Sequence, residues 1–281
     1  MMRNSLLVLA GLALASVGSA QTIINANNPS GDAFTNAGPS VATQALTATG
    51  AYGETFVYRN VRNGGMVGID STYARSGTGS LHLVGTGGNA QSELAFGGGF
   101  DANGNILGPS MGSIDNLSAL NADFYTASSN LSNAMAILRL ELFSANDGGS
   151  ASYGQLVFDN LWGTGPESMA WTFGQWGNVD LFANANSIYL RGTSGLASRY
   201  GSAQRTLANW LTTLNGKGYD IFSVNAGWGQ SVNQFDGAVD NITFGVGANI
   251  RTYNFEPVPE PATMAALGLG AVALIRRRKK A

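Results

Sequence analysis

Met135-Ala136-Ile137-Leu138-Arg139-Leu140-Glu141-Leu142-Phe143 alternates leucine with charged residues. Leu138, Leu140 and Leu142 fall on one side of an extended chain and Arg139 and Glu141 on the other. That period of two describes a strand with one face on a core and the other toward water. A helix would need its apolar residues three and four apart. Asn146-Asp147-Gly148-Gly149 follows as a turn signal, and residues 154–158 read as the returning strand. The stretch predicts an antiparallel hairpin, and with it an all-β chain.

The same pattern extends in both directions. Residues 54–60 place Phe56 and Tyr58 on one face, and residues 66–70 form a second strand. In Ser80-Leu81-His82-Leu83-Val84, Leu81 and Leu83 share one face and Ser80 and His82 the other. Residues 111–117 and 123–125 are short strand candidates; 171–177, 187–191, 221–226, 238–244 and 250–255 are further ones. Residues 21 to about 50 are small, polar and turn-rich, an extended lead-in. One helix interrupts the strands. Over residues 203–215, Leu207, Trp210, Leu211 and Leu214 line one face, with Ser202 as its cap and Gly216 as its left-handed end. Trp210 is expected to anchor that helix on a sheet. With 39 glycines and no long internal linker, the chain between its ends reads as one antiparallel β-sandwich of about ten to fourteen strands.

The two ends differ from this middle. Arg3 precedes an apolar run from Leu6 to Val17, and Gly18 and Ala20 stand at the −3 and −1 positions of a small-residue cleavage site. This describes a secretory signal over residues 1–20, with Gln21 as the new terminus after signal peptidase. At the other end, Val258-Pro259-Glu260-Pro261 is followed by an uncharged stretch over residues 262–275 and then by Arg276-Arg277-Arg278-Lys279-Lys280. Pro259 and Pro261 keep a helix from starting before Pro261. Fourteen apolar residues span about 21 Å, short for a hydrocarbon core of about 30 Å. Snorkelling arginines or a thinned bilayer close that gap. The five cations hold the tail on the cytoplasmic side and leave residues 21–256 outside.

Those outer residues carry nine basic and sixteen acidic side chains, near −7. Non-specific nucleic-acid binding is excluded on charge, and polyanionic polysaccharides are poor electrostatic partners. With no cysteine, stability comes from a core rather than disulfides. His82 is the single histidine, which leaves a Ser-His-Asp triad or a histidine zinc site little to draw on.

The order Pro-Glu-Pro, short apolar helix and Arg cluster over residues 257–281 resembles the PEP-CTERM sorting signal. The resemblance implies processing by exosortase, a membrane transpeptidase-like protease, in bacteria that make exopolysaccharide. It also implies transient anchoring in the inner membrane before the cell surface or the extracellular matrix is reached. Within residues 21–256, Ser76-Gly77-Thr78-Gly79-Ser80-Leu81-His82-Leu83 and Phe235-Asp236-Gly237-Ala238-Val239-Asp240-Asn241-Ile242-Thr243-Phe244 resemble the early and last strands of jelly-roll carbohydrate-binding modules.

Three functions compete. The first is a non-enzymatic surface or matrix protein that binds glycan. For it, Trp162, Trp171, Trp176 and Trp228 are candidate sugar-stacking residues, with Trp228 and Trp176 preferred and Trp228 expected to be exposed between Gly227 and Gly229. The second is a secreted hydrolase acting on polysaccharide. The glucanase pattern Glu-x-Asp-x-x-Glu is absent, and Glu141 is a lone acid expected to pair with Arg139. The third is a purely structural surface protein. Asp236, Asp240 and Asn241, with Asp70, carry oxygens suited to calcium; the alternative is turn chemistry, with Asp236-Gly237 as a tight turn and Asp240 and Asn241 bonding local backbone. The decisive observation is whether an open cleft holds two acids about 5–10 Å apart, or an aromatic ring with amides around it.

Overall fold

A computed structural model of the chain describes residues 21–25, 44–49, 55–97, 108–161, 169–201, 204–229 and 234–257. The secretory signal, the tail from Val258 onward, Trp162 and the expected cap Ser202 lie outside the described residues.

In chain order the strands are β1 (Gln21–Asn25), β2 (Gln44–Thr49), β3 (Thr55–Arg62), β4 (Gly65–Asp70), β5 (Ser80–Gly85), β6 (Gln91–Gly97), β7 (Gly112–Ser113) and β8 (Leu117–Ser129). Then come β9 (Ile137–Asp147), β10 (Ser150–Phe158), β11 (Trp176–Asp180), β12 (Tyr189–Ser194), helix α1 (Gly195–Tyr200), β13 (Gln204–Thr206), helix α2 (Leu207–Leu214), β14 (Tyr219–Gly229), β15 (Phe235–Val246) and β16 (Asn249–Glu256). They form two sheets. One runs β13-β12-β10-β9-β14-β6-β3-β2, with β7 on the start of β14. The other is built on β15, which pairs with β8 on one side, and β11 closes that side as the edge.

On its other side β15 changes partner. Phe235 to Val239 pair with β5, which carries β4; Ile242 to Val246 pair with β16, which carries β1. Asp240 and Asn241 occupy the fork between them. β1 runs parallel to β16, while the other pairings among the described strands are antiparallel.

The opening hairpin forms as its pattern requires. Leu138, Leu140 and Leu142 of β9 are buried, and β10 returns beside it. Rings bind the two sheets into one core: Phe96 of β6 lies 5.1 Å from Phe56 of β3 and 4.9 Å from Tyr253 of β16. Helix α2 buries Leu207, Trp210 and Leu214, and the Trp210 indole N–H donates to the Leu190 carbonyl at 2.8 Å. Gly216 ends the helix at φ +69° as expected, while Thr206 caps its start by accepting from the Asn209 amide.

Several strand boundaries move. Of residues 111–117 only Gly112 and Ser113 form a strand of their own, β7, because the Ser113 hydroxyl accepts the Asp115 amide and starts a 3₁₀ turn, and Leu117 already begins β8. Residues 123–125 belong to the thirteen-residue β8, whose outer positions are polar or small enough to hide its period. Residues 171–175 are irregular, with a turn at Phe173-Gly174 where Gly174 has φ +77°, and the strand begins only at Trp176. The lead-in contributes β1 and β2, and β6, β13 and α1 were not expected. Sixteen strands are described rather than ten to fourteen.

Candidate functional site

On the outer face of the β15 sheet, alternation brings His82, Ala238, Tyr125 and Trp176 into one row across β5, β15, β8 and β11. Gly68 and Ala238 flank His82 in register, and such small neighbours leave the imidazole room to lie between two acids. Its Nδ1 is 2.8 Å from Asp70 Oδ2 and its Nε2 is 2.8 Å from Asp236 Oδ1. A neutral imidazole has one donor, so both contacts hold together only in the imidazolium. Burial works against that charge, but the two carboxylates outweigh it and raise the His82 pKa above its ordinary value. For Asp70, burial is likewise outweighed, by the His82 bond and the Thr72 amide, and its pKa falls. The Tyr73 hydroxyl donates to Asp236 at 3.0 Å; burial and that bond push its pKa up to about 12.

The loop between β4 and β5 lies over the fork in β15. Asp240, fully buried, accepts the Ser76 amide of that loop and the Phe255 amide of β16, each at 3.1 Å. Burial raises its pKa to about 7, even though the amides of Phe255, Asn241 and Ser76 pull the other way. Asn241, at φ +49°, donates to the Ser76 hydroxyl and to Asp123, which also takes Arg75 at 3.0 Å. These contacts correct two expectations. Asp236-Gly237 is strand, not a tight turn, and Asp240 bonds not only the local Asn241 amide but also backbone far away in sequence, at Ser76 and Phe255. The donor set also does not fit calcium. A cation needs oxygens turned toward one point, whereas the Asp236 oxygens meet His82 and Tyr73 and those of Asp240 meet amides. Among the described residues no three acidic or histidine side chains converge as metal ligands.

The aromatic row ends at Trp176. Tyr73 stands 4.8 Å from Tyr125, and Tyr125 5.4 Å from Trp176. The Trp176 side chain is half-buried, and among the described residues no ring covers its face away from Tyr125. Trp228 behaves otherwise. It is 2% exposed and stacked on Phe235 at 4.1 Å, with the planes 7° apart. Its expected exposure is therefore corrected. Trp228 shares the inward side of β14 with Val224 and Ala226, and Gly227 beside it answers crowding on the opposite side, where a Cβ would stand 2.5 Å from that of Glu93.

On the outer face of the second sheet Arg139 reaches across β14 to Glu93, which also takes the Asn60 amide. The expected partner Glu141 is buried instead beside Tyr153 and Gln155, at 3.5 and 3.4 Å. A cleft of about 410 Å³ borders the free edge of β11, lined by Trp171, Asn178, Val179, Asp180, Asn184 and Ile188 among others. It holds one acid, one indole and two amides, a feature that no residue pattern in the sequence announced.

Beyond β16 the chain passes directly into its tail. Residues 257–279 match the PEP-CTERM protein-sorting motif. The match begins one residue after Glu256 and takes in Val258, Pro259, Glu260 and Pro261, the apolar stretch and most of the cation cluster. The PEP-CTERM tail is the sorting signal of an exported protein handled by exosortase. No curated protein and no solved structure matches the chain. The likeness to carbohydrate-binding sandwiches thus stands on the two stretches that carry it.

Proposed function

We propose that the exported domain is a non-enzymatic glycan-binding protein of the cell surface or extracellular matrix, with exopolysaccharide as its partner once exosortase has acted on the PEP-CTERM tail. The observation that carries this reading is the partly exposed Trp176 ring closing the row Tyr73, Tyr125, Trp176. An indole face stacks on the C–H side of a sugar ring and gains both apolar burial and a polarised contact. The acids beside the row support binding over hydrolysis. A glycosidase needs one carboxyl to give a proton and one to act as base or nucleophile, and Asp70 and Asp236 are both held by His82. Affinity electrophoresis of the processed protein through neutral and anionic polysaccharides tests the reading. Retardation by a neutral glycan, reduced about tenfold by Trp176→Ala, is expected. Release of reducing ends from the same glycans, abolished by Asp70→Asn, would establish the hydrolase instead.

A further inference from the structure

The cleft at the free edge of β11 adjoins the Trp176 row, since Asn178 lines it and stands two residues along the outer face from Trp176. Most of its side-chain donors are already in use, although the Trp171 indole N–H is buried without a partner among the described residues. Both amide protons of Asn178 are given away, to Asp123 at 2.8 Å and to the Ala122 carbonyl at 3.3 Å. The Asn184 amide donates to the Asp180 carbonyl at 2.8 Å, and the Ser187 hydroxyl to the Asn184 carbonyl at 3.2 Å. Asp180 Oδ1 accepts the Ala183 amide at 2.8 Å. Among the described residues no donor meets Asn178 Oδ1, Asn184 Oδ1 or Asp180 Oδ2. The polar side chains therefore offer mainly acceptors, and the remaining walls are the Trp171 ring, with its unpartnered N–H, and the apolar Val179 and Ile188. A ligand that satisfies such walls brings hydroxyls, which both donate and accept, together with C–H faces, whereas an anion meets the Asp180 carboxylate and mostly acceptor oxygens. The volume of about 410 Å³ lies in the range of small-molecule pockets.

We infer that this cleft receives one unit of an uncharged, hydroxyl-rich sugar chain whose next unit stacks on Trp176. The inference rests on the glycan reading above, and it makes the ligand an oligosaccharide bound across the β11 edge rather than a single sugar or an acidic polymer.

Amide spectra of the ¹⁵N-labelled processed protein separate the two claims. The probes are glucose, N-acetylglucosamine and their β-1,4-linked oligomers up to the tetrasaccharide, with tetragalacturonate and calcium chloride as controls. Neutral oligomers are expected to shift the Val179, Asn184 and Ile188 amides together with the Trp176 indole N–H, whereas tetragalacturonate shifts neither. Ala170→Trp, which fills the cleft from an exposed position, is expected to abolish the Val179 and Ile188 shifts and to weaken the tetrasaccharide about tenfold. Shifts at Trp176 alone, or a tetrasaccharide affinity unchanged by Ala170→Trp, overturn the cleft and leave the aromatic row standing. Shifts in the cleft alone support the cleft and refute stacking on Trp176. Cleft shifts caused by calcium and not by sugars overturn the ligand class, and no shift from any sugar overturns both claims.

Discussion

Asp240 is the residue on which the β15 fork depends, and its chemistry sets a pH dependence. Its folded pKa of about 7 stands above the ordinary 3.8. A raised folded value means that the native state holds the proton more tightly, so the contribution is present below the unfolded pKa and lost as pH rises through about 7. His82, also raised, has the same sign, with its stabilisation lost above the folded value. Asp70, lowered, loses its contribution only on acidification below 3.8. The melting temperature should therefore decline from about pH 5 to about pH 8. Asp240→Asn should flatten the lower part of that decline, so the variant compares better with the wild type at the alkaline end. Calorimetry across the pH series checks this; two parallel curves would show that Asp240 does not titrate in the range. None of this could be read from residue order. Leu81 and Leu83 around His82 reveal which face it takes, but its two acids stand 12 and 154 residues away, and only the pairing register joins them. Trp228 failed for a related reason. Flanking glycines suggest an exposed tryptophan, whereas here Gly227 answers crowding from the neighbouring β6.

At the scale of elements, the β4–β5 loop holds the two branches of the fork together. Ser76 reaches β15, Arg75 reaches β8, and Thr78 gives both its amide and its hydroxyl to Glu256 at the end of β16. Gly77 makes this passage possible, since it sits at φ +96° and a Cβ there would collide with the Glu256 carboxylate. Gly77→Ala should cost about 1–3 kcal/mol in urea unfolding. It should also speed hydrogen exchange of the Ser76 and Phe255 amides while the β8–β15 ladder keeps its protection. Equal loss of protection in both places would mean that the loop is not a separate clamp. Strong alternation made β3, β4, β5, β9 and β15 legible in advance. β6 escaped because only Leu94 and Phe96 mark its inner face, and β1 and β2 escaped because neither alternates: Ile23 and Ile24 are adjacent, and β2 carries a single leucine among alanine and threonine. The cleft at β11 had no signature at all, being made by a strand edge and the irregular segments on either side of it, residues 169–171 and 184–188.

For the whole molecule, the sorting tail was the most legible feature, because its physics is local: a break, an apolar length and a charged stop in sequence order. The mature protein should begin at Gln21 and end near Pro259–Pro261, and intact-mass measurement reads both ends. Replacing Arg276, Arg277, Arg278, Lys279 and Lys280 with neutral residues should leave unprocessed chain in the membrane fraction. Normal trimming of that variant would remove charge from the sorting argument.

The parallel pairing of β1 with β16 also sets an order of events. Gln21 lies beside Thr252 and Asn25 beside Glu256, so the chain enters this strand pair at one end and leaves it at the other. Cleavage after Ala20 would free the end of β1 that lies beside Thr252, whereas the PEP-CTERM match begins past the other end of the pair, at residue 257. Removal of the leader is therefore expected to assist the pairing of β1 with β16, and slower hydrogen exchange of residues 21–25 in the cleaved than in the uncleaved chain would show it.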